Sequence, residues 1–302
     1  MSSTRLSIPA SATSSERPAI LPTPSRRAGP LRPLLDNRIG LLGAGLVLVC
    51  GLVAIGAPLL APYPPDEPHA NWRLFPPNEF FWLGTDEFGR DILSRIIFGA
   101  QISLAVGVTS VGLALLLGGT LGLLAGFYGG WVDGLIMRSM DVLFAFPTIL
   151  LAIGIMAVLG PGLTNAMLAI GIVYAPSFAR LGRALVLSLK EMEFVQAARV
   201  LGVSDPGILA RHILPNLLAP LIVQTTFSLS TAVLTEAALS FLGLGTPPPA
   251  PSWGLMLSAS RRFVELDPWP AIWPGLAIML LVLGVNLFGD GLRDALDPRL
   301  GL

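Results

Sequence analysis

The sequence predicts an all-α membrane protein: six transmembrane helices, with a helix-turn-helix elbow projecting between the fourth and the fifth. Three observations carry this. Hydrophobic residues make up 53% of the 302 and charged residues 13%, with a mean hydropathy of +0.72; a chain of this size and composition cannot hide its apolar surface in one water-soluble core. Six apolar runs reach about 20 residues, enough to cross a hydrocarbon core of about 30 Å. Between the fourth and fifth runs lies the longest polar-containing stretch flanked by two apolar ones, and it is punctuated as helix, turn, helix.

Composition also excludes chemistry. The single cysteine, Cys50, sits in an apolar run, so neither a disulfide within the chain nor a cysteine metal site can form, and the thiol is expected to pack as a small hydrophobe. The only lysine, Lys190, follows Ser188 and Leu189, so no glycine-rich phosphate loop ending in Gly-Lys-Ser/Thr exists and the chain is not an ATPase. Its two histidines, His69 and His212, lie outside the apolar runs. Neither can meet a serine inside a helix bundle as an intramembrane serine protease requires, and no histidine-cysteine cluster forms a metal site.

Residues 1–35 are rich in Ser, Pro and Arg and have no apolar periodicity. Such a segment cannot offset its ordering entropy, so a disordered tail is expected. It is too long and proline-rich ahead of the first apolar run to resemble a cleaved signal peptide. Residues 36–95 hold the first span, near Ile39 to Leu60, and a segment beyond it carrying Pro64, Pro65, Pro76, Pro77 and the aromatics Trp72, Phe75, Phe80, Phe81 and Trp82. Aromatics beside a span mark the water interface, so an interfacial cover is expected. Gly84 and Gly89 read as turns, with Asp86 capping a helix that begins near Phe88. The spacing of Asp86, Glu87 and Asp91 fits no recognised cation loop.

Residues 96–302 hold the other five spans, near Ile102–Phe127, Met140–Leu159, Leu163–Phe178, Leu217–Leu239 and Ile272–Phe288. In lipid each must be helical, because nothing else there pairs its own backbone groups. Gly118, Gly119, Gly122 and Gly126 permit close helix approach. Pro176 interrupts the fourth run, which is also the shortest. Glu236 is the ionisable group most clearly inside a span. An intramembrane carboxylate either faces a cavity, which makes it a translocation-path candidate, or is hydrogen-bonded in helix packing, and both readings stay open. Asp141 and Asn286 lie near span ends, where capping or interface contacts account for them.

Lysines and arginines set the orientation. With the N-terminus in the cytoplasm, fourteen of them, including Arg138, Arg180, Arg183, Lys190 and Arg299, fall inside and five (Arg73, Arg90, Arg95, Arg261, Arg262) outside. That bias favours both termini in the cytoplasm, with the elbow there too.

The elbow runs from Lys190 to Pro215. Phe194, Ala197, Ala198 and Leu201 recur at helical spacing and give one small apolar face. Gly202 stands where a helix C-terminus wants positive φ. Ser204 and Asp205 can cap a second helix, Pro206 suits its first turn, and Pro215 ends it or bends it into the next span. A stiff elbow with a small-residue face is a docking device, although an amphipathic hairpin lying on the membrane surface has the same spacing.

Gln196-Ala197-Ala198, then Gly202, then His212-Ile213-Leu214-Pro215 resemble the "EAA" loop of ABC importer permeases. Gln196 stands where that family most often has Glu, and His212 where Ile is frequent. The stretches Leu83 to Arg95, Thr235 to Gly245, Pro251 to Met256, Pro274 to Ile278 and Asn286 to Arg299 are similar to the dipeptide/oligopeptide/nickel branch, C-type subunit. The resemblance implies a type I importer permease in the cytoplasmic (inner) membrane of a bacterium or archaeon. It implies a homologous but different permease as partner, two cytoplasmic ATPases that hold ATP and Mg, and an external solute-binding protein. This chain would itself bind no cofactor or nucleic acid. Contact with the ATPases would fall to Gln196, Ala197, Ala198, Arg199, Gly202, Asp205, Arg211 and Pro215. A secondary transporter would instead need coupling groups near the midplane, where only Glu236 offers itself, and a channel would need no elbow. The solute stays open among dipeptides, oligopeptides, nickel complexes, glutathione and related molecules.

Overall fold

The computed structural model describes residues 37–296. The expected tail at 1–35 and Arg299 lie outside the described residues. In chain order the helices are α1 (Arg38–Ile55), α2 (Ala57–Leu60), α3 (Ile92–Tyr128), α4 (Gly130–Phe144), α5 (Thr148–Leu159), α6 (Leu163–Leu189), α7 (Glu193–Val200), α8 (Asp205–Ile208), α9 (Leu214–Phe241), α10 (Trp253–Ser260) and α11 (Trp269–Leu296), with a 3-10 turn at Ala70–Trp72 and a π turn at Leu209–Ile213.

Five stretches are long and apolar enough to cross a membrane: α1, α3, α6, the continuous run Asp205–Phe241 and α11. The expected third span is present as a bent pair, α4 and α5, which together are long and apolar enough for a sixth crossing. Met140–Leu159 is not one helix, because α4 and α5 meet at a 94° bend. Pro147 supplies the cause: it lacks an N–H, and its ring drives the preceding Phe146 away from helical geometry. The fourth run gives the opposite correction. Pro176 lies inside an unbroken helix of 27 residues, which outlasts the apolar run so that Arg180 and Arg183 reach Asp141 and Asp133 on α4.

The bundle is built on two close pairings, α3 with α6 and α1 with α11, and α9 packs against both α3 and α11. The α3–α6 contact depends on missing side chains: a methyl group added at Gly118 or Gly122 would collide with the carbonyl of Ala175 or Ala179. Gly119, expected to serve the same contact, points elsewhere and has only Leu115 within reach. At the start of α1, the Asn37 side chain accepts from the Ile39 and Gly40 amides at 3.1 and 3.0 Å. The same side chain donates to Asp294 on α11 at 3.0 Å, which joins the start of α1 to the last turn of α11.

The segment between α2 and α3 is a folded strap. Trp72 packs edge-on against Phe75 and tilted against Phe80 and Phe81, with ring centroids 4.9 to 5.8 Å apart, while Trp82 stays 69% exposed. Phe81 is buried in this cluster, while Phe75, Phe80 and Trp82 stay exposed and can face an interface. Asp91, not Asp86, caps α3, accepting the Ser94 amide at 2.8 Å. Asp86 instead holds the turn before it, accepting the Phe88 and Arg90 amides at 2.9 Å and the Arg90 Nε at 2.6 Å. Position decided between them, since only Asp91 immediately precedes the helix. Glu87, beside Asp86 in the same turn, has its carboxyl pushed above the usual range by burial and by the neighbouring Asp86.

Candidate functional site: the elbow

The first helix of the elbow is shorter than its apolar pattern suggested. It begins at Glu193 because Lys190–Met192 form a turn, in which the Met192 amide bonds to the Leu189 carbonyl at 3.0 Å. The Gln196 side chain donates to the Lys190 carbonyl at 2.9 Å, so it closes the end of α6. At the far end Gly202 has φ +78°. Its amide bonds to Arg199 and the Val203 amide to Ala198, each at 3.1 Å, which is a Schellman termination. Ser204 occupies the cap position of α8 but makes no side-chain cap bond, and Asp205 and Pro206 form the first turn.

Pro215 neither ends the second helix nor kinks it sharply. The chain widens into the π turn Leu209–Ile213, with the Leu214 amide bonding back to the Leu209 carbonyl, and Pro215 enters in the first turn of α9. A wider turn absorbs the proline ring and the missing donor. The Asn216 side chain donates to the His212 carbonyl at 2.7 Å. The elbow is therefore continuous with the span that follows it.

The expected apolar face divides in two. Val195 and Ala198 turn inward and join a core that includes Ile208, Ile213 and Leu217. Phe194, Ala197 and Leu201 turn outward. At the tip Val200 is 87% and Leu201 82% exposed. The Leu201 result agrees with its sequence spacing, but the exposure of Val200 was missed; its place one residue before Leu201 on a short helix, off the Val195–Ala198 stripe, was the available signal. Arg199, Asp205 and Arg211 are exposed around this tip and make no ion pair among the described residues. The arrangement presents a rigid apolar prow with a charged rim, suited to seating in a groove of another protein.

Glu236 lies at the opposite end of α9 from the elbow. It is fully buried, and its Oε1 accepts from Ser240 at 2.7 Å and Ser252 at 2.9 Å. A cavity of about 470 Å³ opens between α6, α9 and α11 on the elbow half of α9, lined by Leu181, Pro220, Val223, Gln224, Phe227 and Arg293. Glu236 does not line it. Asp141 pairs with Arg180 at 2.7 Å, and Asn286 accepts from Ser230 at 2.7 Å, so both serve helix contacts.

Residues 118–302 match the family described as "Binding-protein-dependent transport system inner membrane component". The chain belongs to that family. Residues 23–77 match a second one, the N-terminal TM domain of oligopeptide transport permease C, so the likeness takes in the first span as well. Dipeptide transport system permease protein DppC of Alkalihalophilus pseudofirmus is 51% identical over 89% of this chain and 88% of its own. Di/tripeptide transport system permease protein DppC of Pseudomonas aeruginosa is 49% identical over 86% and 87%. Glutathione transport system permease protein GsiD of Pectobacterium atrosepticum is 46% identical over 89% and 90%. Among solved structures, the inward-facing MetNI methionine ABC transporter shares the fold, with TM-score 0.56 and 19% identity over 68% of this chain and 98% of that one. The chain is a multi-pass membrane permease subunit of an ABC importer, C-type, and the importer's ATP hydrolysis lies in separate subunits.

Proposed function

We propose that this permease imports peptides or a closely related small solute, paired with a different but homologous permease. Relatives that span nearly the whole chain carry dipeptide, di/tripeptide and glutathione transport in their names, which favours short peptides as the solute class. The termini face the cytoplasm in this reading, which the fourteen-to-five distribution of lysine and arginine supports. On that orientation two cytoplasmic ATPases, holding ATP and Mg, receive the elbow, and a solute-binding protein delivers solute from outside. This chain contributes no cofactor ligand of its own.

The observation that carries the reading is the elbow tip, where Val200 and Leu201 stand almost fully in solvent on a helix locked by the Gly202 termination. Apolar side chains held out this far favour a partner groove. Leu201, Val200, Ala197 and Phe194 would fill it, with Arg199, Asp205 and Arg211 at its rim and Gln196 and Pro215 keeping the elbow's ends in place. Closure of the ATPases on ATP then moves the elbow, and with it α9, between inward-open and outward-open arrangements.

Reconstitution with the partner subunits and a labelled dipeptide tests this. ATP-dependent uptake that unlabelled di- and tripeptides compete away is the expected result. Uptake driven by a proton gradient without ATP would refute it.

A further inference from the structure

We propose that Glu236 is a positioning residue: it fastens the loop 242–252 and α10 to the outer end of α9, so that movement of the elbow is carried along α9 to a cap on the opposite face. The proposal rests on the importer reading above for what the movement does, but not for the clamp itself. Its first support is continuity. From Asp205 to Phe241 the chain is one helical run of 37 residues, about 55 Å at the helical rise per residue. The elbow stands at one end of this run and Glu236 in the last turns of the other.

The second support is what Glu236 holds. Its Oε1 accepts from Ser240 on its own helix and from Ser252. Ser252 is the cap residue of α10, and it makes no cap bond with its hydroxyl because that hydroxyl is turned to Glu236. The Ser240 oxygen also receives the Thr246 amide at 3.3 Å, which brings the middle of the loop to the same point. Glu236 Oε2 and Thr246 Oγ1 are both buried without a hydrogen-bond partner, so this cluster is sealed from the solvent.

The third support is the fit of α10 around the clamp. Gly254 lies against the Ala237 carbonyl, where a side chain would collide. Trp253 covers Gly99 and donates to the Ile96 carbonyl at 3.0 Å, which sets α10 on α3 as well. Glu236 is thus the polar fastening of this cap to α9, while hydrogen bonds from Trp253 to Ile96 and from Arg95 to Pro249 tie the same cap to α3. An acceptor oxygen at this position is what the geometry needs, and a negative charge is not.

The test uses the assembled transporter in right-side-out vesicles, with Cys50→Ser and Thr246→Cys leaving this chain a single reporter thiol. Thr246 is 5% exposed, so a membrane-impermeant maleimide should label the parent slowly. Glu236→Ala should raise the labelling rate at least tenfold and lower dipeptide taken up per ATP hydrolysed at least threefold. Glu236→Gln, which keeps the acceptor oxygen, should stay within twofold of the parent in both. If Gln is as damaging as Ala, or if Ala leaves the labelling rate unchanged, the clamp is refuted. Should Glu236→Ala fail to accumulate, Ser252→Ala is the second variant, and unchanged labelling there refutes the clamp equally. A parent that takes up no dipeptide would count against the solute class, while the labelling rates would still decide the clamp.

Discussion

The guanidinium of Arg95 donates to the carbonyl of Pro249 across 3.3 Å and 154 residues of chain. The same Nη1 donates to the Pro65 carbonyl at 2.8 Å, and Nε lies 3.6 Å from Asp86. One buried arginine at the start of α3 therefore joins the strap, the turn before α3 and the loop between α9 and α10. Two carbonyls and two carboxylates, Asp66 at 3.4 Å being the second, around one planar fork suit Arg and no other cation. Arg95→Ala should cost about 3 kcal/mol, because it strips a buried charge cluster of one partner. Arg95→Lys should recover less than half of that. Limited proteolysis from the outer face would read it as faster cutting within residues 61–91.

Asp133 accepts both Nε and the second terminal nitrogen of Arg183, a bidentate pair that fixes α4 on α6 beside the elbow. Part of it is exposed, which limits its worth to about 1 kcal/mol. Arg183→Asp should lower thermal stability in detergent and reduce uptake, and the exchanged pair Asp133→Arg with Arg183→Asp should restore most of both. A double exchange no better than the single change would show that the pair is not what holds α4.

The glycine face of α3 gives a prediction about packing. Gly122→Leu places a side chain against the Ala179 backbone, which cannot yield as a flexible side chain would. Overpacking of that kind costs about 3 kcal/mol. Gly119→Leu, three residues earlier and with only the flexible Leu115 side chain within reach, should be nearly neutral. Comparing melting temperatures of the two variants in the same detergent checks it.

Much of the architecture was legible because lipid narrows the choices: apolar runs of span length had to be helices, and their order survived in the structure. The errors arose where hydropathy and helicity part company. Met140–Leu159 is apolar but for Asp141 and Thr148, yet Pro147 breaks it, while Leu163–Leu189 carries Pro176 and two arginines and stays whole. At the elbow, Gly202 was legible from a local rule about positive φ. The exposure of Val200 was less so: its place off the Val195–Ala198 stripe points to it, but which apolar residue faces out depends on the core that those two enter. Glu236 could be singled out from its place in a span, but its two serine donors come from both sides of a loop whose path the sequence does not reveal.

The Gly202 position separates two causes of failure. A side chain there meets nothing within 4 Å, so Gly202→Ala is strained only through its positive φ, a cost of about 1–2 kcal/mol. Gly202→Ala should therefore retain partial transport, whereas Gly202→Asp, which adds a charge beside the apolar tip, should abolish it. Membrane levels of both should match the parent on immunoblots, and transport by Gly202→Asp at the parent rate would contradict the docking role.

The most direct test of the coupling elbow is purification of the tagged chain in mild detergent, followed by mass spectrometry of what remains bound, for the parent and for Leu201→Asp. The parent should retain a second permease and ATPases carrying phosphate-binding loops, and Leu201→Asp should keep the permease but lose at least nine-tenths of the ATPases. Equal recovery of ATPases with both proteins would contradict the elbow as the docking element.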